Sequence, residues 1–349
     1  MQPDYSRQTQ LKEIGAAGQA ALARSRVLVV GAGGLGSPVL EYLAGAGVGC
    51  LGVVDADVLD ASNLHRQPIY ALADVGKPKV DLALAAVARI NPTVRVEAHP
   101  VRLETGNALD LVRAYDVVID CSDNFRTKFL INDAAVLAQR PAVFASVYQY
   151  EGQLQVYAPL PGHACLRCLW PDATADGVVG NCAEAGVLGP VPGTFGTLQA
   201  LVALKILLGL PGQLAGELLL LDFTGFSSVK LMAPRRAECH APRCALIRTI
   251  EPDPGEPEVT LASLDEAAAR GLEVIDIRTD AEVAEFPSKA RHIAMPLLLG
   301  DPSMLRKDRE ILLVCATGKR SLAAARELRR QGFAARSLAG GLRQLGARS

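Results

Sequence analysis

Net charge is the first thing this 349-residue chain lacks: 36 basic side chains against 37 acidic ones leave −1. Near neutrality excludes a nucleic acid or membrane surface recognised through bulk electrostatics. An apolar leader is also missing, because the opening MQPDYSRQTQLKEIG holds no hydrophobic run, so no secretory signal is expected there. Internal repeats and low-complexity tracts are absent, and tryptophan occurs once, at Trp170. The most apolar stretch, 195–210, carries Gln199 and Lys205 and reads as a helix too short to span a bilayer. What is there is a globular composition, 50% apolar and 21% charged, with length for about two domains and their cores. A cytoplasmic, reducing setting is the expectation. In it the eight cysteines read as metal ligands or nucleophiles rather than disulfides.

Short β-branched runs at 26–31, 51–55, 94–98, 116–120 and 141–145 alternate with helical stretches at 37–46, 79–90, 109–114 and 125–139. That alternation predicts an α/β fold, a Rossmann-like, mainly parallel sheet with helices on both faces. Extended pieces around one long apolar helix continue this domain from 153 to 232. The acidic, proline-rich run EPDPGEPE at 251–258 reads as a linker. A second α/β pattern follows, with helices at 261–270 and 319–331 and strands at 273–277, 310–315 and near 335–338. The expected domains are 1–248, a linker at 249–257, and a smaller α/β domain at 258–349.

The first strand runs into Gly31, Ala32, Gly33, Gly34, Leu35 and Gly36 and then a helix. Glycines let backbone approach phosphates, and the helix N-terminus stabilises their charge. Asp55 ends the next strand, 19 residues past Gly36, where an acid bonds a ribose hydroxyl. Alone, this describes any Rossmann-like nucleotide site, an NAD-dependent oxidoreductase included. The surroundings point elsewhere. Ser62, Asn63, Leu64, His65, Arg66 and Gln67 place a guanidinium soon after the acid, and Lys79 opens the next helix. Asp123 and Asn124 follow a later strand, at the sheet edge where ligands bind. Cations with a carboxylate able to hold Mg²⁺ suit a triphosphate losing pyrophosphate, and so nucleotidyl transfer.

These stretches, with Tyr5-Ser-Arg7-Gln8 and Asp55-Ala-Asp57, resemble the MoeB/ThiF family, bacterial relatives of ubiquitin-activating enzymes, over about 5–244. The resemblance implies adenylation of the C-terminal glycine of a ubiquitin-like sulfur-carrier protein of the MoaD/ThiS type. It implies ATP contacts from Gly34, Asp55, Ser62–Arg66, Lys79, Asp123 and Asn124, with Asp123 near Mg²⁺. It also implies that Arg7 reaches the site from the other subunit of a homodimer. The chemistry agrees: the attacking group is already a carboxylate, so positioning and charge neutralisation suffice.

Cys165 and Cys168 form a C-x-x-C pair, and Cys239 and Cys244 a second pair 70 intervening residues on. Two thiolate pairs suggest a closed, structural Cys₄ zinc site. The family resembled has such a zinc, usually with a second C-x-x-C; the longer loop here makes His240 an alternative ligand.

Two cysteines are candidate nucleophiles. Cys182 lies in the glycine-rich GNCAEAGVLG stretch, where a flexible loop suits thiolate chemistry, and the family resemblance implies a covalent link to the carrier protein there. Cys315 follows a strand and opens CATGKRS before a helix, so backbone N–H groups and the helix dipole surround its sulfur. With the strand at 274–278 this resembles a rhodanese domain over about 258–346. Four residues separate Cys315 from Arg320, the short loop sized for a persulfide rather than a phosphate. The combined expectation is an adenylyltransferase and sulfurtransferase. Cys315 takes sulfur from thiosulfate or a cysteine desulfurase, and the product is a thiocarboxylate for molybdopterin, thiamine or tRNA thiolation. The rivals are an NAD-dependent oxidoreductase and a non-catalytic adaptor for a ubiquitin-like protein.

Overall fold

The computed structural model describes residues 3–160, 163–170, 186–237, 239, 240, 243, 244, 247, 250 and 257–346. They fall into two compact units, one within 3–250 and one within 257–346.

The first unit opens with α1 (Ser6–Thr9) and α2 (Gly15–Arg24). Then β1 (Arg26–Val30), α3 (Gly36–Gly45), β2 (Cys50–Val54), α4 (Lys79–Ile90), β3 (Arg95–His99), α5 (Ala108–Arg113), β4 (Val117–Asp120), α6 (Phe125–Ala138) and β5 (Ala142–Tyr148) alternate. These five strands are parallel in the order β3-β2-β1-β4-β5. β6 (Glu151–Tyr157) turns back on β5; α7 (Leu166–Leu169) and α8 (Pro190–Leu207) follow, and β7 (Glu217–Asp222) and β8 (Ser227–Met232) extend the sheet antiparallel to eight strands. A small ribbon pairs β9 (Cys239–His240) with β10 (Arg243–Cys244). β2 and β4 are buried along their whole length, which is why they read as continuous apolar runs. One core packs Val27, Val29, Leu40, Leu43 and Phe195 on the α3 and α8 side. The other packs Leu28, Tyr115, Ile131 and Phe144 on the α6 side.

The long apolar helix differs from expectation. It starts at Pro190, because Pro190 and Pro192 occupy the first turn, where a missing N–H costs nothing. At 18 residues it is, by length and composition, long and apolar enough to cross a bilayer. Here it packs on the sheet, and its fully buried Gln199 donates to the carbonyls of Asp120 (2.7 Å) and Val143 (3.2 Å). α2 was not expected: it is alanine-rich and buries only Leu22, so it shows no apolar stripe.

The second unit runs β11 (Glu258–Val259), α9 (Leu264–Ala269), β12 (Glu273–Asp276), α10 (Asp280–Glu285), β13 (Arg291–His292), α11 (Met295–Gly300), β14 (Glu310–Val314), α12 (Lys319–Arg330), β15 (Ala334–Leu338) and α13 (Gly341–Gly346). Its sheet is parallel throughout, in the order β11-β15-β14-β12-β13. The helix expected at 261–270 is shortened to α9 by its cap, Ser263, whose Oγ accepts from the Glu266 N–H at 3.2 Å.

Candidate functional sites

In the first unit the chain reverses its direction of strand addition at β1, which lies between β2 and β4. Ligands of open α/β sheets bind at the C-terminal ends of such strands. Gly31 follows β1 with φ +98°, and a Cβ there would lie 2.6 Å from the Cys121 carbonyl oxygen. A Cβ on Gly36 would collide with the Gly31 carbonyl, so both positions demand glycine. Gly33 and Gly34 sit between them, and a Cβ on Gly34 would meet the carbonyl oxygen of Arg66 at 3.4 Å. The loop and the Arg66 turn are therefore neighbours.

Asp55 follows β2 and accepts from the N–H groups of Ala32 and Asp57, each at 2.8 Å. Burial pushes its carboxyl up, while those N–H groups and Lys79 pull it down. Lys79 is buried at the start of α4, and its Nζ lies 3.1 Å from Asp57 Oδ2. In the turn Ala61–Asn63, Asp60 accepts from the Ser62 N–H (2.8 Å) and hydroxyl (2.6 Å), and Asn63 Oδ1 accepts from the Asp60 N–H. The side chains of Ser62 and Asn63 thus hold the turn itself. His65 Nδ1 and Arg66 Nη1 both lie at hydrogen-bond distance from the Ser62 carbonyl, and Leu64 packs on the core.

Beyond β4, Asp123 is exposed and Asn124 caps α6 by accepting from the Thr127 N–H at 2.8 Å. Beneath them lies a pair that sequence reading missed. Lys128 is buried, pairs with the fully buried Asp120 and donates to the Ala145 carbonyl at 2.7 Å. Asp120 also accepts from the Ser122 N–H (3.1 Å) and hydroxyl (2.5 Å), tying down the segment that carries Asp123. The one signal was position: Lys128 stands one helical turn after the capping Asn124.

Arg7 is exposed on α1, and the adjacent Gln8 donates to the Ala46 carbonyl just past the C-terminal end of α3 at 3.1 Å. Its neighbour Tyr5 packs against Gly47, past the C-terminal end of α3, and accepts from Asn91 Nδ2 at 2.8 Å. The glycine loop precedes the other end of α3, and a ten-residue helix spans about 15 Å.

Cys165, Cys168 and Cys239 are buried with their sulfurs all within 4.8 Å of one another, and the ribbon sets buried Cys244 opposite Cys239. All four are free thiols. The sulfurs of Cys165 and Cys168 are 3.9 Å apart. A tetrahedral ion with bonds of about 2.3 Å to sulfur spaces its ligands at about 3.8 Å, so donor type and spacing fit zinc. The side chain of His240 and all of Cys182 lie outside the described residues.

In the second unit β14 delivers Cys315, fully buried, to a loop that ends at α12. Gly318, at φ +85°, makes the turn into the helix. The Ser321 N–H donates to the sulfur at 3.4 Å. Arg320 forms a two-point ion pair with Glu282 of α10, at 2.9 and 2.5 Å. That pair draws the Glu282 carboxyl down to about 2. α10 is itself held by buried Arg278, which grips Asp276 and donates to the Phe286 carbonyl at 2.8 Å. The sequence reading located Cys315 and Arg320 but not Glu282.

A glycine loop at the switch point of a parallel sheet, flanked by buried Lys79 and by Arg66, defines a nucleotide-binding α/β protein; the second unit adds a cysteine loop poised for sulfur chemistry. Comparison with known proteins agrees. The ThiF family matches residues 5–242 and the rhodanese-like domain matches 258–347. The chain belongs to the ThiF family and carries a C-terminal rhodanese-like domain. It is 50% identical over 239 residues to the sulfur carrier protein adenylyltransferase of Thermus thermophilus, covering 67% of this chain and 88% of that protein. It is 36% identical to the probable adenylyltransferase/sulfurtransferase MoeZ of Mycobacterium tuberculosis, covering 94% and 88%. Against the mouse adenylyltransferase and sulfurtransferase MOCS3 it is 50% identical over 67% of this chain, spanning about half (51%) of that protein. The solved Escherichia coli MccB with ATP shares the fold, with TM-score 0.60 at 19% identity, covering 69% and 74%. The chain is an enzyme of the adenylyltransferase and sulfurtransferase class.

Proposed function

We propose that the first unit adenylates the C-terminal glycine carboxylate of a ubiquitin-like sulfur-carrier protein with Mg-ATP, and that Cys315 supplies the sulfur that turns the adenylate into a thiocarboxylate. The Gly31–Gly36 loop, through the N–H groups of Gly34–Gly36 at the N-terminus of α3, receives the phosphates, and Asp55 takes the ribose. Arg66 and Lys79 neutralise charge as pyrophosphate leaves. Asp123, beside Asn124, would hold a magnesium ion whose charge offsets that of the triphosphate. Arg7 is contributed by the second subunit of a homodimer. Its separation from the glycine loop within one chain supports that reading. Cys165, Cys168, Cys239 and Cys244 would hold a structural zinc that fastens the ribbon to α7, with no open position for catalysis. The Cys315 thiolate attacks the outer sulfur of thiosulfate, forming an S–S bond as sulfite leaves, or takes sulfur from a cysteine desulfurase. The persulfide's outer sulfur then attacks the activated glycine carbonyl, with AMP leaving, or with Cys182 leaving where that thiol has first displaced AMP as a thioester. A second thiol cleaves the resulting acyl disulfide by attacking the Cys315 sulfur, which releases the thiocarboxylate and leaves a disulfide that an external thiol reduces. The site of action is the cytoplasm.

One observation carries the reading: a cysteine seated against the Ser321 N–H at the start of α12 shares a chain with a nucleotide-type glycine loop that has buried Lys79 beside it. The experiment is intact mass spectrometry of a Gly-Gly-tailed carrier protein after incubation with the enzyme, Mg-ATP, thiosulfate and a thiol reductant. A thiocarboxylate is the expected product. An adenylate without sulfur would remove Cys315 from the pathway, and an unchanged carrier would return weight to the adaptor.

A further inference from the structure

We propose that Ser337, on β15, is a positioning residue for Cys315: it completes a two-hydroxyl relay that lets Ser321 turn its hydrogen to the sulfur when the thiol ionises. The proposal rests on the rhodanese reading of the second unit.

Ser337 stands 16 residues beyond Ser321, outside the cysteine loop, and both side chains are fully buried. Their oxygens are 2.9 Å apart. Ser321 Oγ is also 3.4 Å from Cys315 Sγ and 3.0 Å from the Gly318 carbonyl oxygen, and Ser337 Oγ is 3.3 Å from that same carbonyl. The Gly318 carbonyl already accepts the Leu322 N–H at 2.9 Å, so the serines share its remaining lone pair.

Each hydroxyl has one hydrogen to give. With the thiol protonated, the S–H donates to Ser321 Oγ, Ser321 donates to Gly318, and Ser337 donates to Ser321. On ionisation the thiol proton leaves to solvent. Ser321 then rotates its hydrogen onto the thiolate, and Ser337 rotates its own onto Gly318. No heavy-atom bond changes, and the Gly318 carbonyl keeps a hydroxyl donor in either state. With alanine at 337, Ser321 can satisfy the thiolate only by abandoning Gly318. The charged groups around the sulfur are Arg320 of α12, its partner Glu282 of α10, and the Asp276–Arg278 pair beside them. Exposed Lys319 opens α12, and Arg343 of α13 adjoins the loop through its N–H on the Ala316 carbonyl. The variants leave all of these in place.

The experiment measures iodoacetamide alkylation of Cys315 against pH in the full chain, read on the Cys315 peptide by mass spectrometry. One hydrogen bond's worth of thiolate stabilisation predicts that Ser337→Ala raises the midpoint and lowers the neutral-pH rate about threefold to tenfold. Ser321→Ala raises it too, and adding Ser337→Ala to that variant shifts it no further. A wild-type midpoint in Ser337→Ala, or equal shifts with and without Ser321, overturns the relay. If Ser337→Ala does not fold, Ser337→Cys keeps the volume and a weak donor: a smaller rise supports the relay and no rise refutes it. Persulfide loading from thiosulfate is measured separately on the wild type. Its failure removes the sulfur-transfer reading while the midpoints still decide the relay.

Discussion

Lys79 and Asp57 form an ion pair, Nζ to Oδ2 at 3.1 Å, in which the lysine is buried and the aspartate is exposed. Asp57 also gives its N–H to Asp55, the acid that holds Ala32 of the glycine loop. The cation is thus kept beside the loop before any nucleotide arrives. Charge neutralisation by such a preorganised group typically accounts for 10²–10³ in rate. Lys79→Ala is expected to lower carrier-dependent ATP–pyrophosphate exchange by about that factor, chiefly in kcat. Asp57→Asn only loosens the orientation, and is expected to cost less than about tenfold. An exchange rate unchanged in Lys79→Ala would remove this lysine from the site.

The buried Lys128–Asp120 pair makes a prediction about stability. Removing one member leaves the other charged and desolvated, which costs about 3–5 kcal/mol. Lys128→Met is expected to lower the Tm of the first unit sharply, and pairing it with Asp120→Asn to recover much of the loss. Calorimetry on the two variants decides it. Equal losses in the single and double variants would show that the lysine is held by the Ala145 carbonyl rather than by Asp120.

That pair also marks where reading the sequence stops. The glycine loop and the Cys315 loop were legible because each is a run of adjacent residues whose chemistry depends on backbone geometry. The convergence of Cys165, Cys168 and Cys239 was legible for a similar reason: cysteines in pairs at turn spacing are a recognisable pattern in sequence. Lys128 was not, because a lysine inside a helical run reads as solvated until its face is known. Glu282 was hidden differently: it pairs with Arg320 across 38 positions, and only the β12–β14 pairing brings α10 to the cysteine loop. The start of α8 was obscured by Pro190 and Pro192, which look like breakers yet suit a first turn.

Glu282 gives a pH prediction. Arg320 holds its carboxyl near 2 against an ordinary value of 4.5. A depressed carboxyl contributes stability that is complete above its unfolded value and is lost as pH falls through the folded one. The second unit is therefore expected to lose part of its stability between about pH 4.5 and about pH 2. Glu282→Gln removes the titrating group and should flatten the stability curve in that window. The pair is about one-third exposed, so solvent screening keeps the effect modest. Denaturant unfolding at a series of pH values provides the measurement.

For the cysteine cluster, elemental analysis is expected to find one zinc per chain. Cys165→Ser should abolish it and lower the stability of the first unit, since a structural zinc contributes on the order of 10 kcal/mol in small domains. A chelator at moderate temperature should have the same effect. A metal-free wild type with unchanged stability would show that the sulfurs at 3.9 Å simply pack as thiols.

The last prediction concerns Gly341, which closes the second unit's loop from the far end of the chain. Its φ is +64°, and a Cβ there would lie 2.5 Å from the Cys315 carbonyl oxygen and closer still to the Gly318 N. From this point the Leu342 N–H donates to the Cys315 carbonyl (2.9 Å) and the Arg343 N–H to that of Ala316 (3.1 Å). Those bonds draw the loop's carbonyls away from the sulfur and leave its side to donors. Gly341→Ala must push the two backbones apart, and is expected to cost about 1–3 kcal/mol. It should slow persulfide formation on Cys315 at least tenfold, with ATP–pyrophosphate exchange within twofold of wild type. Gly340→Ala is the control: its φ of +69° carries similar strain, but the atom its Cβ would crowd most is the end of the Gln344 side chain, at 2.1 Å, rather than the cysteine loop's backbone. Comparable destabilisation with much less effect on Cys315 is expected there. If both variants slow the persulfide equally, general weakening of the unit explains the loss, and the close approach of Gly341 to the loop does not.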